Sequence, residues 1–220
     1  QMEEGGRDVT QKDQFYQQIQ LVVEPLKDWL IHAEGNMKIV NNQNQWEVLP
    51  VYYHDGEGSP VAMAWFDGYT PGMSRVNQSY WKDNNYSLNL YTDYFKQIGD
   101  HYFKVMGGFN AELYKRTNLS GQRDELITPD VPTLNTGTTE QKANGGYSHW
   151  ANAGFFGRIN YNYKERYLLE INGRYDGSSR FIGDKRWGFF PSFSAGWNVS
   201  REPFWRDLEH IVNNFKIRGS

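Results

Sequence analysis

The chain contains no cysteine, which excludes a disulfide framework and any metal site built on thiolates. No run approaches the ~18 apolar residues of a membrane-spanning helix, and the mean hydropathy is −0.78. A helical membrane protein is therefore excluded, but a spanning barrel is not, because half of each barrel strand is polar. A net charge of −3 without a basic stripe gives no electrostatic basis for binding nucleic acid. His32, His54, His101, His149 and His210 show neither an i, i+4 pair nor HExxH spacing, so no metal site is expected. Ser178-Ser179 lacks a nucleophile elbow, and the doublets Gly107-Gly108 and Gly145-Gly146 carry no phosphate-loop pattern. Among the acids, Asp176 and Asp184 flank a loop and Glu165 and Glu170 lie on a hairpin. Glu170 shares a strand face with Arg174, which makes a charge network a simpler account than a glycosidase dyad. Neither catalysis nor a cofactor is expected.

What the chain has is aromatic residues, 16% of the total, set in long alternating runs. Ile159, Tyr161 and Tyr163 alternate with Arg158, Asn160 and Asn162. After Lys164-Glu165-Arg166, Tyr167, Leu169, Ile171, Gly173 and Tyr175 alternate with Glu170, Asn172, Arg174 and Asp176. Phe189, Phe193, Ala195, Trp197 and Val199 do the same against Ser192, Ser194, Asn198 and Ser200. Strict alternation is the mark of a strand with one apolar and one polar face. The short turn makes the first two runs an antiparallel hairpin.

Run length separates two all-β readings. Strands of soluble sheets usually stop near five or six residues, whereas a tilted strand needs roughly nine to eleven to cross a bilayer. These runs have the longer length, and their apolar face is rich in the Tyr, Phe and Trp that favour membrane interfaces. The pattern predicts a transmembrane antiparallel β-barrel segment, with a soluble β-sandwich as the alternative.

Further runs are predicted at Phe15–Val23, Trp29–Ile39, from Tyr86 to Tyr94, and at Phe103–Leu113. Residues 1–14 read as a loop. Residues 41–80 and 117–146 lack sustained alternation, contain prolines and glycines, and are expected to be long loops. Residues 177–186 form a third. Arg201–Asn213 is a connection with one helical turn around Pro203–Leu208, and Phe215 opens a last strand. Short turns thus alternate with long loops over about eight strands, as in outer-membrane barrels with short periplasmic turns and long extracellular loops. No export signal precedes the first strand and the last run stops within a strand, so residues 1–220 are expected to be part of a larger polypeptide.

Three runs carry a family resemblance: FFGRINYNYKERYLLEINGRYDGSSRF, RWGFFPSFSAGWNVSREPF and NNFKIRGS. They resemble the late barrel region of SusC/RagA-type TonB-dependent transporters of Bacteroidetes-like bacteria. The likeness is dense over residues 147–220 and looser over 1–146, where EGGR and MGGFNAE are also similar. It implies a segment of a larger plugged barrel in the cell outer membrane, of roughly the 22-stranded class. It further implies TonB-dependent import of a large nutrient, an oligosaccharide or a peptide. The implied partners are a SusD-like surface lipoprotein, outer-membrane lipid, and TonB–ExbB–ExbD acting through a plug and TonB box not seen in these residues.

Two sets of residues are candidates for contact. Trp65, Phe66, Asp67 and Tyr69 place flat apolar rings beside an acid, a pattern that stacks on sugars or anchors a partner. Arg158, Asn160, Glu170, Asn172 and Arg174 form the polar face of the central hairpin and are expected to line a lumen. A carbohydrate-binding surface sandwich and a passive porin-like barrel remain the alternative functions. The sandwich requires Ile159, Tyr161, Leu169 and Ile171 to pack in a dry core.

Overall fold

The computed structural model describes residues 5–63 and 71–220. Its elements are β1 (Asp8–Leu26), β2 (Trp29–Val48), β3 (Tyr52–His54), β4 (Pro60–Ala62), β5 (Arg75–Ile98), β6 (His101–Leu126), β7 (Gly137–Tyr163), β8 (Tyr167–Ser178), β9 (Trp187–Asn198) and β10 (Lys216–Gly219). One eight-stranded sheet runs in the order β1-β2-β5-β6-β7-β8-β9-β10, and β3 and β4 pair separately. The large sheet is thus an up-and-down meander in chain order. Residue contacts form two units, each described by itself. The first comprises residues 1–15, 38–84 and 115–149; the second comprises 16–37, 85–114 and 150–220.

Short turns connect β1 to β2, β5 to β6 and β7 to β8. Asp28, Gly99, Lys164 and Glu165 take positive φ there, a backbone that costs little for glycine and more for other residues. Hydrogen bonds hold the last turn in that shape. The Lys164 amide donates to the Asp100 carbonyl at 2.9 Å, and Lys164 Nζ lies 3.3 Å from the Asp100 carboxylate. The Asn198 amide likewise donates to the Arg166 carbonyl at 2.7 Å, so neighbouring turns are tied in a row.

Register preserves the alternation across three strands. Ile159 lies opposite Ile171, and Ile171 opposite Phe193; on the other face Arg158 lies opposite Asn172, and Asn172 opposite Ser192. Directly opposed residues share a face. The apolar face is bare: Ile159, Ile171 and Phe193 are 47%, 44% and 57% exposed. Among the described residues the only buried hydrophobic side chains are Val51, Val76 and Val199, so the dry core required by a sandwich is not formed by Ile159 and Ile171. A bare face this extensive needs lipid or another surface over it. β8 and β9 have 12 residues each. At ~3.3 Å per residue and a ~45° tilt they span ~28 Å, close to the apolar band of an outer-membrane barrel.

Aromatic side chains mark both ends of that face. Toward the short turns His101, Phe103, Tyr161, Tyr163 and Tyr167 are in ring contact. Toward the other end Phe109 meets Phe155 at 5.1 Å and Tyr175 stacks on Trp187 at 5.0 Å. Paired aromatic bands are the interfacial girdles of a membrane barrel.

Three expectations about loops are corrected. β1 begins at Asp8, inside the expected loop 1–14. β2 continues to Val48 and β5 begins at Arg75, inside the expected loop 41–80. β6 continues to Leu126 and β7 begins at Gly137, inside 117–146. These stretches are polar on both faces, so no hydrophobic period betrays them. Amide pairs across strands show the pairing instead: Gln78 donates to Gln45 at 2.7 Å, and Asn44 donates to Asp8 at 2.6 Å. The connection after β8 and the turn at Pro203–Leu208, a 3₁₀ helix, lie where expected.

Candidate functional site

The polar face of the second unit carries a cross-strand hydrogen-bond network. Alternation on β7 and β8 turns Arg158, Asn160, Glu170, Asn172 and Arg174 to one side, and register sets them against each other. Arg158 Nε donates to Asn172 Oδ1 at 2.6 Å, and Asn172 Nδ2 donates to Glu170 Oε1 at 2.8 Å. Asn160 Nδ2 donates to Glu170 Oε2 at 3.1 Å. Both oxygens of Glu170 are therefore engaged by amides, with Arg158 Nε 4.0 Å away. A carboxylate held this way acts as a hydrogen-bond acceptor.

The network continues toward the long loops. Arg174 grips Asp176 through Nε and an Nη at 3.0 and 2.9 Å, and the same Nη reaches Asn110 of β6 at 3.3 Å. β7 runs between them, and its residue at that point is Gly154. A Cβ there would stand against the Asp176 carboxylate and 3.0 Å from Asn110 Oδ1, so the missing side chain lets β6 and β8 meet over β7.

A second cluster lies on β1, β2, β5 and β6. Gln20 and Tyr91 donate to Glu34 Oε1 at 3.1 and 3.2 Å. His32 stacks on Tyr91 with ring centroids 4.3 Å apart and planes within 5°. Asp93 lies 3.5 Å from His32 Nε2 and 3.1 Å from Lys104 Nζ. Lys104 offsets the Asp93 charge, while both ring nitrogens of His32 are buried without a hydrogen-bond partner among the described residues.

At the short-turn end, the connection after β9 is fastened to the β7–β8 turn. Trp197 Nε1 donates to Glu202 at 3.1 Å and Arg166 lies 3.3 Å from the same carboxylate. Hydrogen bonds from Tyr167 and Trp197, with the Arg166 charge, hold the Glu202 carboxyl below its ordinary range despite burial.

In the first unit, an open cleft of about 740 Å³ is lined by Gln11, Gln43, Gln45, Gln78, Tyr80 and Leu134 among others. The separate pairs Arg75–Asp124 and Arg116–Asp83 join β5 to β6.

Of the five expected wall residues, the structure joins Arg158, Asn160, Glu170 and Asn172 by hydrogen bonds and pairs Arg174 on the same face with Asp176 and Asn110 instead. Trp65, Phe66, Asp67 and Tyr69 lie outside the described residues. Sequence reasoning missed the parts played by Asn110, Tyr91 and Asp93. The even-numbered register of β6, with Lys104, Asn110 and Glu112, was a usable sign for Asn110. The register between strands, which makes Asn110 a partner of Arg174, was not readable.

No protein-family model matches the chain. Among curated proteins, the chain is 35% identical over 137 residues to TonB-dependent receptor SusC of Bacteroides thetaiotaomicron, covering 61% of the chain and 13% of that protein. It is 34% identical over 161 residues to TonB-dependent receptor P39 of Formosa agariphila, covering 70% of the chain and 15% of the relative. With TonB-dependent receptor P26 of the same organism the match is 29% over 223 residues, 96% of the chain and 20% of the relative. A solved chain of the RagAB peptide transporter superposes with a TM-score of 0.80 at 16% identity, covering 92% of this chain and 21% of that one; its likeness is one of fold. The chain spans about a fifth or less of the length of these proteins.

Proposed function

We propose, because the chain belongs with the SusC/RagA-type TonB-dependent receptors, that it forms wall in a plugged outer-membrane barrel that imports a large nutrient. The observation that carries this reading is the contrast between the two faces of β7–β9. One face leaves Ile159, Ile171 and Phe193 bare, while the other links Arg158, Asn160, Glu170 and Asn172 to one another and Arg174 to Asp176. The bare face meets lipid and the polar face lines the lumen. No covalent chemistry is required: the wall offers hydrogen bonds to a passing solute, an oligosaccharide or a peptide. A SusD-like lipoprotein lids the long-loop end, where Trp65, Phe66, Asp67 and Tyr69 touch ligand or lid. TonB–ExbB–ExbD supplies energy through a plug outside these residues.

The test is uptake by cells carrying the complete receptor, with and without TonB. Labelled oligosaccharides and peptides are offered at concentrations too low for passive entry. Uptake that disappears without TonB supports active import. Uptake unchanged by loss of TonB would sink it in favour of a passive pore.

A further inference from the structure

One connection at the short-turn end is unlike the others. β1–β2, β5–β6 and β7–β8 turn in two or three residues, at 27–28, 99–100 and 164–166, whereas β9 reaches β10 through residues 199–215. The short turns contain only glycine and charged residues, which is all that reversing the chain requires. In the long connection Phe204, Trp205, Leu208, Ile211, Val212 and Phe215 recur at helical spacing, the pattern of one apolar stripe on a wound segment. Arg206, Asp207, Glu209 and His210 fill the other side. The backbone is wound to match. Pro203 opens the 3₁₀ helix, where its fixed φ suits the first turn, and the Ile211 and Val212 amides both donate to the Leu208 carbonyl, at 3.0 and 2.9 Å.

Two attachments set this segment on the bare face of the sheet. Tyr167 and Ile217 both lie opposite Trp197, in the alternation that carries Ile171 and Phe193. Tyr167 and Trp197 each donate a hydrogen bond to Glu202. Trp205 then stacks on Phe215, with centroids 5.2 Å apart and planes within 18°, and its Nε1 donates to the Val212 carbonyl at 2.9 Å. Phe215 precedes Ile217 by two residues and continues its side. Arg201 pairs with Glu165, and Arg166 with Glu202. The connection therefore leans back over the β7–β8 turn, away from the free edge of β10.

What remains of the stripe is uncovered. Phe204, Leu208, Ile211 and Val212 are 64%, 45%, 70% and 42% exposed. Clustered apolar side chains left bare mark a surface that something else covers. Their segment is fastened to Tyr167 and Trp197, residue types that settle where hydrocarbon meets water. An amphipathic segment fixed at that level, on the apolar side of a sheet, brings its stripe to the acyl chains and keeps its charges in water.

We propose that residues 203–212 form an interfacial anchor, lying in the membrane surface at the short-turn end. Phe204, Leu208 and Ile211 enter roughly 5–10 Å into the boundary between headgroups and acyl chains. The occupant is the phospholipid of that leaflet, because the stripe continues the bare face of β7–β9 past its aromatic row. The inference rests on the reading of that face as lipid-facing, and adds a device that fixes the depth of the wall.

The experiment uses the complete receptor in lipid nanodiscs, with any other cysteine replaced. Phe204→Cys, Leu208→Cys, Ile211→Cys, Asn213→Cys and Ile171→Cys each carry one fluorophore. Quenching is compared for a spin label at the headgroup level, a spin label deep in the acyl chain, and aqueous iodide. The three stripe positions are expected to lose most fluorescence to the shallow lipid label and least to iodide, while Asn213→Cys loses most to iodide. Stripe positions as open to iodide as Asn213, or shielded from every quencher because protein covers them, would overturn the proposal. The unsubstituted receptor gives an independent reading. A phospholipid with a photoreactive group at the carbonyl level should crosslink to the peptide holding residues 203–212, and no crosslink there would count against the anchor. Ile171→Cys separates the anchor from the wall. Deep quenching at Ile171 with the stripe open to iodide removes the anchor and leaves the wall. Shallow quenching of the stripe with no lipid quenching at Ile171 does the reverse.

Discussion

Asp124 of β6 accepts two hydrogen bonds of 2.6 Å from Arg75 of β5, one from Nε and one from an Nη, and is itself only 2% exposed. A buried carboxylate in a two-point grip is stable only while the grip lasts, because the cost of desolvating the charge remains when its partner goes. Arg75→Met should destabilise the first unit by about 3–5 kcal/mol. The double change Arg75→Met with Asp124→Leu should recover most of that loss, since it removes the buried charge as well. Thermal unfolding of the complete receptor in detergent measures both; a double variant no better than the single would show that the pair is not the cause.

Gly108 gives a second prediction, of packing. A Cβ there would lie 2.5 Å from Tyr91 Cβ, 2.6 Å from Phe156 Cζ and 2.7 Å from the Leu90 carbonyl oxygen. Two of these atoms belong to or adjoin backbone and cannot swing aside. Gly108→Ala should cost about 1–3 kcal/mol through forced displacement. Gly35→Ala is the control, because nothing lies within 4 Å of the added methyl. Equal unfolding midpoints for the two variants would remove the steric argument.

These positions also show what could be read beforehand. Ile159, Ile171 and Phe193 alternate with polar residues, so the period located β8, β9 and the last part of β7 and their faces, but not the start of β7 at Gly137. Pro203 at the start of a short turn marked the 3₁₀ helix at Pro203–Leu208. The period failed at Asn41–Val48 and at Arg75–Asn85, where polar residues occupy both faces and the strand is held by amide and ion pairs. Nor could a single sequence say that Gly154 makes room for Asp176 and Asn110, or that Trp150 stacks between Tyr114 and Arg180. Those relations depend on interstrand register, which hydrophobic pattern sets only where one face is apolar.

The Glu202 clamp predicts an acid dependence. Hydrogen bonds from Tyr167 and Trp197, with Arg166 nearby, hold the carboxyl below its ordinary 4.5. A carboxyl lowered by folding stabilises the folded state above its unfolded pKa, and that contribution is lost as pH falls through the folded value. The wild type should therefore lose stability as pH drops below about 4.5, and Glu202→Gln should lose less over the same interval while starting lower at neutral pH. Unfolding midpoints between neutral pH and pH 3 for the two proteins decide it. Parallel curves would mean that Glu202 is not linked to stability.

Single cysteines introduced into these residues, which have none of their own, test the two faces once any cysteine elsewhere in the receptor is replaced. Ile171 and Asn172 are neighbours on β8 that alternation turns to opposite sides, each with partners on β7 and β9 that share its side. In the complete receptor in lipid, a cysteine at Asn172 should react with a charged, water-soluble maleimide if the lumen is wet there, and should be protected by a ligand that fills it. A cysteine at Ile171 should resist that reagent, and a fluorophore on it should be quenched by a lipid-borne quencher. Ile171→Lys should destabilise the inserted protein by about 2–4 kcal/mol if the residue sits near mid-bilayer, because lysine must carry its charge into hydrocarbon. Asn172→Lys should cost far less. The sandwich alternative predicts something else: Ile171 would resist both reagents, being covered by protein, and Asn172 would react in plain buffer without any ligand protection. Lipid quenching at Ile171 is thus the outcome that separates a membrane wall from a covered sheet, and its absence would sink the wall assignment for this face.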